Sequence, residues 1–348
     1  MNDRNITEAG TDVAGTAEAA GASRRRWAVQ LVVLVVSLAL VAGVAVAANL
    51  RRRERDATGV PGVIAGVAGL FGHGAPGPLG GHTRDTWTVR PLAIAHRGDD
   101  SAPENSLHAI ANAGARGADY AEIDVRLDAD GTPVVFHDRA TGRLSAAGRD
   151  APVAAMRTRE LQRMTMRQNG EDFHIPTLAQ AILAAQRTND HLGLLLHLKT
   201  DDRHAPRVTG AVMRQVERHG FAPRVMIMST NDEAIRIVHR RHPGWLVGKC
   251  VSPAGHPRVT WPRGASFVVM RGNRFDPAVA RRAARAGMPV YAGVSGDYRE
   301  ANRCLRRGAS GILGDSARRL DRVVDRHAVR LDGGIARDGA TPWARPVA

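Results

Sequence analysis

From Pro91 onward, short apolar runs of strand character alternate with amphipathic runs of helix character, and this alternation limits the folds open to the chain more than any other feature. The strand-like runs are 92–96, 120–125, 193–199, 224–229, 245–251, 266–271, 288–294 and 311–314. A ninth run, 133–137, follows the second too closely for a parallel crossover, which needs a dozen or more residues, so it reads as the antiparallel arm of a hairpin. Eight parallel strands with intervening helices predict an α/β fold, a (β/α)8 TIM-type barrel. The helices carry clear punctuation. Asp276-Pro277 supplies an N-cap and an N1 proline, with Gly287 at the far end. Thr177 and Gln180 form a capping box, and Gly220 and Gly308 close two further helical runs. The insertion 139–175, with a small helix at 158–164, is expected over the strand ends as a lid or substrate wall.

Upstream of the barrel, Trp27 to Leu50 is an apolar run of 24 residues in which only Gln30, Ser37 and Asn49 are polar. That length spans a hydrocarbon core of about 30 Å. Arg24-Arg25-Arg26 precedes it and Arg51, Arg52, Arg53 and Arg55 follow. A cleaved signal peptide ending near Ala45-Val46-Ala47 is the alternative, but the run exceeds an ordinary h-region and has a stop-transfer flank. The chain is therefore read as a barrel preceded by one N-terminal transmembrane helix, single-pass, with its domain outside the cytoplasm. The expected domains are a disordered tail (1–26), the anchor (27–50), a linker (51–90), the barrel (91–328) and a C-terminal tail (329–348). The linker is Gly- and Pro-rich from 56, and its last 35 residues would reach roughly 30–35 Å as a flexible coil.

The formal charge of +15 is almost wholly arginine: lysine occurs only at 199 and 249, so 49 − 2 leaves 47 arginines. Aromatic residues make up 4%, too few to interleave a basic nucleic-acid surface, which excludes that partner; a membrane suits the charge better. Cys250 and Cys304 have neither metal-ligand spacing nor a disulfide framework.

The chemistry concentrates between His96 and Asp138. His96-Arg97-Gly98 follows the first strand, then come Pro103-Glu104-Asn105, Glu122-Ile123-Asp124, and His137-Asp138. Glu122 and Asp124, at i and i+2 on a strand, share one face and offer a chelate for a hard cation. Two imidazoles bracketing that pair are what acid-base cleavage of a phosphate ester needs.

In order and spacing these four motifs resemble those of the glycerophosphodiester phosphodiesterase family, from about Pro91 to about Asp325 and most densely over 95–138. The resemblance implies that His96 and His137 are the acid-base pair, one deprotonating the attacking hydroxyl and the other protonating the leaving alcohol. It implies a divalent metal on Glu122 and Asp124, a phosphate contact through Arg97, and a loop around the metal shaped by Glu104 and Asn105. Lys199 fits the family's third motif, an acidic residue, a spacer and a lysine. Lys249, the other lysine, is expected at a strand end facing the substrate. The implied substrate is a glycerophosphodiester, or beside a bilayer a lysophospholipid, split into an alcohol and glycerol phosphate.

Three positions depart from the pattern. His197 stands where the third motif carries a carboxylate; as a softer, neutral ligand it shifts the expected ion from Mg or Ca toward Mn or Zn. Gly293 replaces a tryptophan of the seventh strand, which should widen the pocket there. The final strand, Gly311-Ile312-Leu313-Gly314-Asp315, lacks the proline that usually follows. These losses keep two rivals open: a phospholipase D-like lipid phosphodiesterase on the same barrel, and a catalytically dead barrel that binds lipid or polymer.

Overall fold

The computed structural model describes residues 86–251 and 259–332. Eight parallel strands form the barrel: β1 (Leu92–Ala95), β2 (Tyr120–Leu127), β3 (Gly193–Leu198), β4 (Val225–Ser229), β5 (Leu246–Val251), β6 (Phe267–Arg271), β7 (Val290–Gly293) and β8 (Gly311–Gly314). Each pairs with its successor, and β8 closes on β1 in the register Gly311↔Leu92 through Gly314↔Ala95. The run after β2 is the expected hairpin arm: Pro133–Val135 pairs antiparallel with β2, Val125 opposite Val135.

Seven helices pack outside: α1 (Leu107–Ala115), α2 (Leu178–Thr188), α3 (Ala205–Arg218), α4 (Asp232–Arg241), α5 (Pro277–Arg285), α6 (Tyr298–Arg306) and α7 (Ala317–Asp325). Their starts follow the local chemistry. Ser106 caps α1 by accepting from the Ala109 amide, the Thr177–Gln180 box opens α2, and Asp276 with Pro277 opens α5. The expected helix after β5 is not found among the described residues of that connection, 259–266. Pro262 and Gly264 make residues 259–266 a poor helix. Trp261 packs there instead, with the Arg282 guanidinium 4.7 Å above its ring.

The predicted span 27–50 lies outside the described residues, and among those described no helix is long and apolar enough to cross a membrane. Thr86–Val89, read from sequence as linker, pairs antiparallel with Val329–Asp332, read as tail, to form a two-stranded ribbon. Nothing local in either tetrapeptide marks a pairing across some 240 residues.

Side-chain parity decides what points where. Ile94, Tyr120, Leu195, Met226, Met228, Phe267, Val269, Tyr291 and Leu313 fill the barrel interior. Alternate residues, such as Ala121, Ile123, Val125, Leu194 and Leu196, pack outward against the helices. Three interior aromatics require glycine neighbours. A Cβ on Gly193 would come within 2.3 Å of the Tyr120 ring, one on Gly248 within 2.1 Å of the Phe267 ring, and one on Gly311 within 3.0 Å of the Tyr291 ring. At Gly293 a Cβ would meet its nearest neighbours, Leu313 and the Met270 carbonyl, at 3.7 Å, an ordinary contact. Gly248→Ala should therefore lower unfolding free energy by about 1–3 kcal/mol through overpacking. Gly293→Ala should stay within about 0.5 kcal/mol of the parent; urea unfolding of the two variants checks the contrast.

Candidate active site

Interior parity carries the upper ends of β1, β2, β3 and β8 into one cluster. On β2, Tyr120 fills the barrel and the next two interior positions are Glu122 and Asp124, each 1% exposed. On β3 the equivalent positions after Leu195 are His197 and, just past the strand, Lys199; Asp124 lies in register with His197. One ligand atom from each of Glu122, Asp124 and His197 lies within 4.8 Å of the others. His197 Nδ1 is 3.3 Å from Asp124 Oδ1 and 3.5 Å from Glu122 Oε1. Two buried carboxylates and an imidazole converging at one point are a suitable donor set for a divalent cation.

The charges are held by a small set of donors. Lys199 Nζ lies 2.8 Å from Asp124 Oδ1 and 2.9 Å from His197 Nδ1. Asn105 exchanges two hydrogen bonds with Asp124, donating to Oδ2 at 3.0 Å and accepting from the Asp124 amide at 3.0 Å. The Arg97 amide donates to Glu122 Oε2 at 2.9 Å, while its guanidinium donates to Glu104 at 2.9 Å and brings Nε within 3.5 Å of Asp124. Burial alone would raise the Asp124 pKa, but His197 and Lys199 outweigh it and hold the carboxyl well below its ordinary range. Burial likewise pulls His197 down, yet its hydrogen bonds to Asp124 and Glu122 leave it raised.

The backbone that makes this possible takes a positive φ in three places. Arg97 and Asn105 sit at φ +56° and +59°, and Gly98 between the helix and the cluster at +85°. A Cβ on Gly98 would fall 2.5 Å from that of Ala109 on α1, so this glycine is fixed by space as well as by conformation.

Each histidine is oriented by a carboxylate. His96 Nδ1 meets Asp315 Oδ1 at 3.0 Å, and His137 Nδ1 meets Asp138 Oδ1 at 2.7 Å. Nδ1 is thereby engaged in both rings, which directs the chemistry to Nε2. Burial pulls the His96 pKa down, but the hydrogen bond to Asp315 and the charge of Glu122 leave it raised. Around His137, Arg126 clamps the main-chain carbonyl with bonds of 3.0 and 2.7 Å. Arg143 binds both Asp138 and Glu104, at 2.5 Å each. Gln168 receives the Glu104 amide at 2.7 Å. Both Arg143 and Gln168 come from the insertion, whose short helix (Thr158–Arg163) and hairpin (Met166–Phe173) rest on their own apolar cluster of Phe136, Leu144, Leu161, Met166 and Ile175. The insertion is thus a wall beside His137.

Of the residues singled out from the sequence, His96, Arg97, Glu104, Asn105, Glu122, Asp124, His137, His197 and Lys199 gather here. Lys249 does not join the contact network. Its neighbours on β5, Gly248 and Cys250, take the interior parity, and its ammonium binds the Thr230 carbonyl and Asp232, both at 2.6 Å. Asp315, Asp138, Arg143 and Gln168 were not assigned roles from the sequence; Asp315 is readable in retrospect as the next interior position after Leu313 on a strand adjoining β1.

A family model described as the glycerophosphoryl diester phosphodiesterase family matches residues 96–319. The chain belongs to that family. Among curated relatives, human glycerophosphodiester phosphodiesterase 1 is 35% identical over 130 residues, 36% of this chain and 38% of the human protein. A glycerophosphodiester phosphodiesterase of Caldanaerobacter subterraneus is 30% identical over 165 residues, 46% of this chain and 66% of the relative. The mammalian matches span 30–38% of those proteins. A solved phosphodiesterase of Oleispira antarctica, in complex with the product sn-glycerol-3-phosphate, superposes with a TM-score of 0.59 at 25% identity, covering 68% of this chain and 97% of that one. A glycerophosphodiester phosphodiesterase from Parabacteroides distasonis shares the fold with a TM-score of 0.57 at 22% identity, over 70% of this chain and 99% of that one.

Within this family site, Asp315 raises the affinity of His96 for its proton, so Asp315→Asn should lower the His96 pKa. The limb of the pH profile of kcat/KM that reports His96 then moves to lower pH. This holds whether His96 is base (acid limb) or acid (basic limb). The plateau should fall by about 10- to 100-fold, the usual loss when the group orienting an imidazole is removed. A profile displaced upward would contradict the assignment.

Proposed function

We propose that this chain is a membrane-anchored, metal-dependent glycerophosphodiester phosphodiesterase. The observation that carries the reading is the pair of Asp-tethered histidines, His96–Asp315 and His137–Asp138, at the same barrel mouth as the Glu122–Asp124–His197 cluster. One imidazole takes the proton of the hydroxyl whose oxygen bonds to phosphorus, a hydroxyl supplied in the net reaction by water. The other returns a proton to the departing alcohol as its bond to phosphorus breaks, so the products are an alcohol and glycerol phosphate. Glu122, Asp124 and His197 would hold the divalent cation, which when bound supplies Lewis-acid polarisation of the phosphoryl oxygens. Arg97 and Lys199 stand beside this cluster as the cations nearest the phosphate. The glycerol-3-phosphate bound to the Oleispira antarctica relative is consistent with that product.

The 24-residue apolar run before the domain supports a single-pass anchor, with the short N-terminal tail inside and the barrel outside the cytoplasm. The imidazole in the ligand set supports Mn or Zn over Mg or Ca.

Hydrolysis of glycerophosphocholine and glycerophosphoglycerol by the full chain in detergent tests the reading. His96→Ala and His137→Ala should each reduce kcat/KM by about 10²–10⁴-fold; wild-type rates in either would remove the mechanism. Chelator treatment should abolish turnover, Mn or Zn should restore it better than Ca or Mg, and His197→Glu should reverse that order. Turnover of a lysolipid with neglect of both soluble diesters would move the substrate class to intact lipid. Absence of turnover with any ion would leave a binding barrel.

A further inference from the structure

Eight strands place β6 four steps from β2 in either direction, so the end of β6 lies across the mouth from Glu122 and Asp124. The residue there is Arg271. It follows Phe267 and Val269 at the interior parity, is exposed, and its guanidinium has no hydrogen bond or ion pair among the described residues. Its neighbour in register on β7 is Gly293. Gly193, Gly248 and Gly311 are demanded by the aromatics beside them, whereas Gly293 has room for a side chain and no positive φ. Packing does not explain this glycine; its effect is to leave open space beside a guanidinium. The carboxylates of the adjoining elements have partners of their own: Asp276 caps α5 through the Ala278 amide at 2.7 Å, Asp297 caps α6 through the Arg299 amide at 2.8 Å, Glu300 accepts from Arg303 at 3.3 Å, and Asp315 meets His96 at 3.0 Å. The wall around β2 is acidic, with Glu122, Asp124, Glu104 and Asp138.

We propose that Arg271 and the space over Gly293 form a subsite for an anionic group on the alcohol portion of the substrate, a second phosphate in particular. This rests on the diesterase reading above. With the scissile phosphate over the β1–β3 cluster, the leaving alcohol extends toward β6 and β7. A guanidinium with no internal partner there attracts a phosphate through a fork of charged donors and repels a quaternary ammonium. The favoured substrates are diesters whose alcohol ends in a phosphomonoester or continues into another glycerol phosphate link, rather than glycerophosphocholine.

The test compares the full chain in detergent, as parent and as Arg271→Gln, on four diesters. These are glycerophosphocholine, glycerophosphoglycerol, glycerophosphoglycerol phosphate and bis(glycerophospho)glycerol; the last two separate a terminal phosphomonoester from a continuing chain. The parent should prefer at least one of the last two over glycerophosphocholine by about tenfold or more in kcat/KM, and Arg271→Gln should collapse that preference through KM with kcat retained. No preference in the parent, or one that survives in Arg271→Gln, overturns the subsite. Calorimetric titration of both proteins with bis(glycerophospho)glycerol gives a readout independent of turnover. An affinity about tenfold weaker in Arg271→Gln supports the subsite even where no diester is cleaved. Equal affinity overturns it. Failure of the parent to cleave any diester counts against the diesterase reading alone.

Discussion

Two carboxylates buried two residues apart on β2 set the terms for the rest of the mouth. Placing Glu122 and Asp124 at 1% exposure would cost several kcal/mol per charge without compensation. The compensation has to come from groups that the barrel brings close, and it determines the conformation of three segments. Lys199 arrives from β3 because interior parity passes through Leu195 and His197 before it. Asn105 must adopt φ +59° to exchange two bonds with Asp124, and Arg97 must adopt φ +56° to give its amide to Glu122. The left-handed turns of the HRG and PEN segments are thus consequences of solvating a buried acidic pair.

A second tier of charge pairs then fixes the imidazoles. Asp315 and Asp138 approach His96 and His137 from β8 and from the adjacent residue, so the two rings are oriented by independent parts of the chain. Arg143 ties Asp138 to Glu104, and Glu104 is in turn bound by Arg97. Burial raises the Glu104 pKa, but Arg143 and Arg97 more than reverse it, and the same balance through His137 and Arg143 holds Asp138 down. The chain of contacts runs from the insertion through Arg143 to both the PEN loop and His137. The insertion therefore braces Glu104 and Asp138 from outside the barrel.

Much of this was legible because a parallel barrel writes itself as buried apolar runs, and all eight strands fall within one or two residues of the expected positions. The E-x-D spacing also fixed its own geometry, since i and i+2 on a strand share a face. Lys249 was not legible in the same way. Both faces of a barrel strand are apolar, so alternation does not reveal which parity is interior. The scarcity of lysine suggested a site role, whereas the packing of Gly248 against Phe267 assigns 249 to the outer face. Asp315 was missed for a different reason: its partner lies 219 residues away, and only closure of β8 on β1 brings them together. The ribbon between Thr86–Val89 and Val329–Asp332 escaped because a long-range pairing of two tetrapeptides has no periodicity to read.

Two of the three departures from the family pattern, His197 and Gly293, fall on opposite walls, and this separates their consequences. His197 lies in register with Asp124, within reach of both carboxylates and of Lys199, so a change there alters the charge and donor chemistry around the reacting phosphate. Gly293 lies beside Arg271 and touches nothing in that cluster. Loss of one negative charge at 197 weakens the hold on a hard cation, while loss of an aromatic wall at 293 leaves the acid-base pair and its orienting carboxylates in place. Had both changes come from relaxation of an abandoned site, the contacts around His96, His137 and Asp124 would have no reason to remain mutually satisfied. The observed arrangement keeps the buried charges compensated and both imidazoles tethered. Its departures are confined to the donor set around Asp124 and to the β6–β7 side of the mouth.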